Sequence, residues 1–150
     1  TGQAMASAVI RAVRAREITG DGPVLIDAPP GAGCSLAAAL RGAEVCVLVT
    51  EGTRAGRHDL ALAAEVAQGF GVPAGVVLNR AGLGDAGLIR DWCATRGLPL
   101  LAELPFSREV AAATARGELL ADRTEWRERF VALWRALTAL AQRGGEEGKP

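Results

Sequence analysis

An acid at the end of an apolar run, followed by a glycine-rich turn, is the part of this sequence best suited to chemistry. Asp27 closes the run Pro23 to Ala28 (PVLIDA) and leads into Pro29-Pro30-Gly31-Ala32-Gly33. A carboxylate there is a hard oxygen donor, and the glycines after it let a phosphate or a metal-bound water approach the backbone closely. Three further places put polar residues after apolar runs: Thr50 to Asp59, Asn79 to Asp85, and Pro105 to Arg108. Each also has a plain reading. Gly31-Ala32-Gly33 alone equally describes a strand-to-helix turn, Asn79 is a routine turn residue, and His58, the single histidine, suits the exposed start of a helix.

The residue types that are scarce exclude whole classes of activity. All but one of the 17 basic residues are Arg, and the single Lys is Lys149. No internal lysine is available for a complete Walker A loop, a Schiff base or a lysine general base. A formal net charge of zero, with acids interleaved among the arginines, offers no basic field to nucleic acid, so no nucleic-acid partner is expected. Apolar runs such as Val45 to Val49 are far too short for a membrane span, and no secretory leader is evident. Cys34, Cys46 and Cys93 contain no C-x-x-C pair, which argues against a disulfide framework or a self-contained zinc or iron–sulfur site. These features predict a cytoplasmic chain.

The elements that must position the candidate residues follow from periodicity. Apolar positions at Met5, Val9, Ile10 and Val13 predict a helix over 4–17. Pro23 to Ala28 is expected to be a strand buried on both faces. A short helix over Leu36 to Leu40, a strand over Val45 to Thr50, a helix over Asp59 to Gly69 and a strand over Ala74 to Asn79 follow. Asp85 to Arg96 reads as a helix ended by Gly97, Leu100 to Leu104 as a fourth strand, and Ser107 as the cap of a helix over Arg108 to Arg116. A last helix, Thr124 to Arg143, carries a packing stripe from Trp126 through Phe130, Leu133, Trp134 and Leu137 to Leu140. Cys46 and Cys93 are expected in the core. The fold class is α/β, a mostly parallel sheet with helices on both faces in three layers, formed by a single incomplete domain over 1–143 with a disordered tail at 144–150. In such folds ligands bind at the carboxyl ends of the strands, which is where the candidate residues fall.

The order of these strand ends carries a resemblance. DAPPGAGCS, then VCVLVTEGTRAGRHDLALAAEVAQGFGVPAGVVLNR, then LLAELPFSREV resembles the carboxyl-terminal two-thirds of a MinD/ParA-type (SIMIBI) P-loop ATPase, in the branch that carries an inserted ferredoxin domain. The likeness covers about Val24 to Leu120. It implies that Asp27 is the switch acid holding the magnesium shell and Gly31 the glycine near the terminal phosphate. It places Asn79 and Arg80 against the nucleotide base, with Pro105 and Phe106 covering the base from the other side. Cys34 is a residue common in that branch, and His58 and Asp59 match a helix opening. Ser35 departs from a usual Pro and Ser107 from a common Asp. Gly52, where a Pro is usual, is expected to loosen its loop. ATP and magnesium are the implied cofactors, with a homodimer or a partner protein, and an iron–sulfur cluster belonging to the full-length family rather than to these residues. The implied activity is ATP binding and hydrolysis coupled to iron–sulfur or redox cofactor assembly. A Walker A lysine is lacking, so these residues are expected to be inactive alone, as the carboxyl-terminal part or a truncated relative of such an ATPase. A sheet without that family's first strand is expected to expose edges and apolar surface. A non-catalytic α/β interaction or small-ligand module and a flavodoxin-like domain are the alternatives that strand pattern leaves open.

Overall fold

The computed structural model describes residue 12 and residues 22–147; apart from Ala12, which is helical, the helix expected over 4–17 lies outside the described residues. Among the described residues the order of elements is α1 (Cys34–Leu40), β1 (Cys46–Gly52), α2 (Arg54–Gly69), β2 (Ala74–Gly84), α3 (Ala86–Arg96), β3 (Leu100–Pro105), α4 (Arg108–Ala115), a single 3-10 turn at Leu120–Asp122, and α5 (Thr124–Glu147). The three strands form one parallel sheet in the order β1-β2-β3. The chain is therefore α/β with a parallel sheet, as the alternation of apolar runs and amphipathic segments requires.

The β-strand period of two divides the sheet residues between two helix layers. Cys46, Leu48, Val76 and Leu78 point to one side and join Leu36, Leu40, Leu60, Ile89 and Cys93 from α1, α2 and α3 in the main core. Leu78, Val76 and Ile89 are completely enclosed there. Successive strand residues alternate, so Val77 points to the opposite side, and α5 lies against β3 and β2 with Trp126 and Leu137 buried. Arg90 of α3 and Glu103 of β3 join helix to sheet through two parallel bonds, Nε to Oε1 and Nη2 to Oε2, each 2.6 Å.

Helix starts follow local capping chemistry. The Asp85 carboxylate accepts from the Leu88 amide at 3.4 Å, and the Ser107 hydroxyl accepts from the Val110 amide at 3.2 Å. Gly97, with φ 65°, closes α3 in the left-handed region. The start of α2 departs from the expected Asp59. The helix begins at Arg54 because the Thr53 hydroxyl accepts from the Gly56 amide at 2.9 Å.

Three further departures have physical causes. Val24 to Asp27 is not a strand: residues 23–29 run without ladder partners among the described residues, and Leu25 is 83% exposed. An apolar run becomes a buried strand only where a neighbouring strand offers the hydrogen bonds, and β1, the nearer edge in sequence, pairs only with β2. Gly52 does not loosen its loop. It is buried as the last residue of β1, its carbonyl accepts from the Asp85 amide at 2.8 Å, and an added Cβ would lie 2.9 Å from the Asp85 carbonyl oxygen. Finally, α5 continues past Arg143 through Glu147, four residues into the stretch expected to be tail. Gly144 lets the helix pass so close to the Pro73 ring that any β-carbon would collide with it.

Candidate functional site

At the carboxyl ends of β2 and β3 the chain leaves regular pairing in a specific way. Asn79 is the register partner of Glu51, and Gly84 is the partner of the next residue, Gly52, so residues 80–83 are looped out of the ladder with β1, while Ala81 stays in register with Pro105 of β3. The loop is pinned at both ends. Gly84, with φ 79°, touches the Gly52 carbonyl so closely that a side chain has no room, and on the other side the Ala81 carbonyl accepts from the Phe106 amide at 2.9 Å. Arg80, with φ 52°, is the one non-glycine among the described residues in the left-handed region. Its amide donates to Asn79 Oδ1 at 3.0 Å, a local bond of the kind that makes this conformation tolerable.

This loop and the helices behind it enclose a cleft of about 400 Å³. Asn79 and Arg80 reach it from β2, Pro105 and Phe106 from the end of β3, Val110 and Thr114 from α4, and Trp126 and Phe130 from α5. Trp126 is buried and its ring lies 6.0 Å from that of Phe130 at 44°, whereas Phe106 is 41% exposed. A smaller hollow of about 270 Å³ shares Pro105, Ser107, Val110 and Trp126 and extends past Arg123 and Glu125. The result is an open recess lined by a mixture of aromatic, aliphatic and polar side chains, with Asn79, Arg80, Ser107 and Thr114 among the polar ones. Asn79 Oδ1 spends one lone pair on the Arg80 amide and keeps the other, together with two N–H donors. It can therefore both donate to and accept from a heteroaromatic edge.

The structure thus brings together Asn79, Arg80, Pro105 and Phe106, from two segments about 25 residues apart. Asp27 and Gly31 are not part of that cleft. Asp27 is exposed without an ion-pair or hydrogen-bond partner among the described residues, and Gly31, with φ 98°, is exposed with open space where a side chain would be. Among the described residues, no three His, Cys, Asp or Glu side chains converge on a common point. Cys46 and Cys93 are buried, where burial pushes both thiols up, and Cys34 stands exposed at the first turn of α1. His58, Asp59, Arg54 and Arg57 are exposed along the start of α2.

Sequence reasoning missed the contribution of α4 and α5 to the cleft. Trp126 and Phe130 sit at helical spacing and read as a packing stripe; the available signal was two aromatic residues in the first turns of a helix that follows the Pro105-Phe106 strand end. The ion pair between Arg80 Nη1 and Glu51 Oε1, at 3.0 Å, was also missed, because it depends on the register of β1 against β2. No helix among the described residues is long and apolar enough to cross a membrane. Comparison with known protein families, with curated proteins and with solved structures finds no match.

Proposed function

We propose that the cleft between the ends of β2 and β3 and helices α4 and α5 receives the base of a nucleotide, with ATP the expected ligand. On this reading the chain is the base-side and switch-side part of a MinD-like P-loop ATPase whose hydrolysis serves iron–sulfur or redox cofactor assembly, and it acts as a homodimer or with a partner protein. The observation that carries the proposal is the convergence of Asn79, Arg80, Pro105 and Phe106 on one aromatic recess. A purine offers two flat faces and an edge of mixed donors and acceptors. Phe106 and Pro105 are suited to the faces and the Asn79 amide to the edge.

Magnesium, when bound, would supply charge neutralisation for the phosphates, and Asp27 is the residue to which the resemblance assigns its water shell. These 150 residues contain no glycine-rich loop with lysine, the element that supplies most of the grip on a triphosphate in P-loop enzymes. Affinity here rests on the base, and hydrolysis by these residues alone is not expected.

The test is a titration with adenosine followed by amide chemical shifts. Asn79→Ala should weaken binding about tenfold through the lost amide contacts, and Phe106→Ala should weaken it by a similar factor through lost stacking. Unchanged affinity in both variants would refute the assignment of the cleft.

A second reading, a non-catalytic interaction module, is favoured by a different observation. Val24, Leu25 and Ile26, and Val47 and Val49 on β1, leave apolar side chains exposed outside the cleft. Such surface is what a bound protein chain would cover.

A further inference from the structure

We propose that Glu51 sets the charge preference of the cleft by holding Arg80 back from it; the inference rests on the base-binding reading above. Arg80 belongs to two environments at once. Its residue lines the cleft, while its guanidinium turns across the end of β1 and contacts Glu51 through a single Nη1 to Oε1 approach of 3.0 Å. The backbone under it is held at several points: the Arg80 amide donates to Asn79 Oδ1, the Phe106 amide donates to the Ala81 carbonyl, and Gly84 packs on the Gly52 carbonyl. A fixed Cα with a long, flexible side chain leaves two places for the charge: on the carboxylate of Glu51, or on an anionic group of a ligand seated beside Asn79.

The existing contact is one that a ligand can replace. Both side chains are about half exposed, 58% for Arg80 and 44% for Glu51, and the contact uses one nitrogen rather than the two-pronged geometry of Arg90 with Glu103. Exposed single-contact pairs are weak, whereas a phosphate can accept two guanidinium N–H bonds. Glu51 therefore competes with the phosphate of a nucleotide and has no such conflict with an uncharged nucleoside.

The experiment measures adenosine and ADP binding to the parent chain, Glu51→Gln, Arg80→Gln and the double variant, by amide shift titration. Freed from Glu51, Arg80 should improve ADP affinity about threefold in Glu51→Gln, leave adenosine unchanged, and lose the improvement when Arg80 is also replaced. An equal gain in the Arg80→Gln background would identify a diffuse charge effect and overturn the proposal. Adenosine binding with no change in ADP affinity would overturn the role of Glu51 and leave the base site standing. Failure of all four proteins to bind either ligand would overturn both.

Discussion

The central strand and the β1 edge of the sheet are built from similar residues and end in different circumstances. On β2, Val76, Val77 and Leu78 are enclosed because strands flank it and helices cover both faces, and its end opens into a recess. On β1, Leu48 is buried toward the core while Val47 and Val49 on the other face are exposed, Val49 to 62%, and the apolar stretch from Val24 to Ile26 is likewise exposed, without a strand partner among the described residues. Apolar composition does not distinguish the two. What distinguishes them is whether a helix is long enough and correctly placed to cover the strand, and whether a neighbouring strand completes the ladder. Among the described residues, α5 covers β2 and β3 on the second face of the sheet, and the second face of β1 is left exposed at Val47 and Val49.

The largest expected difference between the two strands is in stability. Leu78→Ala removes a fully enclosed side chain and should cost about 3 kcal/mol in urea unfolding. Val49→Ala should change stability by no more than about 0.5 kcal/mol, because most of that side chain is already in water. Similar losses at the two positions would mean that the β1 face is covered in solution and would abolish the contrast.

Two glycines with positive φ sharpen the same comparison at a smaller scale. Gly84→Ala forces a β-carbon against the Gly52 carbonyl as well as into an unfavourable backbone region, and a loss of about 2 kcal/mol is expected. At Gly31 nothing occupies the space, so Gly31→Ala should lose only the backbone part, about 1 kcal/mol. Equal effects would show that the close approach of β2 to β1 does not hold the loop that carries Arg80.

The smallest expected effect is on the response to pH. The hydrogen bonds and charge of Arg90 hold the Glu103 carboxyl below its ordinary value of 4.5. A carboxyl depressed in the folded state adds stability that is complete above its unfolded value and is lost as pH falls through the folded one. Glu103→Gln should therefore flatten the loss of stability below about pH 4.5 that the parent shows, with little change near neutrality beyond the missing pair. Among the described residues, no two-pronged pair of this kind joins β1 to a helix.

Features governed by a few neighbouring residues were legible in the sequence. Ser107 caps a helix where expected, Asp85 caps the helix that was expected to begin on it, and Gly97 closes that helix, because a side-chain oxygen or a missing β-carbon acts within a turn. The pairing of Asn79 with Pro105 and Phe106 was legible only through the resemblance of their order, since the distance between those segments is set by the parallel register. The looped residues 80–83 were not legible: the jump from Asn79 to Gly84 exists relative to β1 and cannot be seen within β2. Val24 to Ile26 misled for the converse reason, having the composition of a strand without a described partner. The early start of α2 was masked by Gly52 and Gly56, which punctuate the sequence as a loop although both sit in close backbone contacts.

The most direct measurement is the map of amide shifts produced by adenosine. Binding in the cleft predicts changes concentrated at Asn79, Arg80, Ala81, Phe106, Ala111 and Thr114 and at the Trp126 indole, absent or much reduced in Asn79→Ala. Changes confined to Asp27 through Ser35 or to β1, or no change at saturating nucleoside, would contradict the assignment of this cleft as a base site.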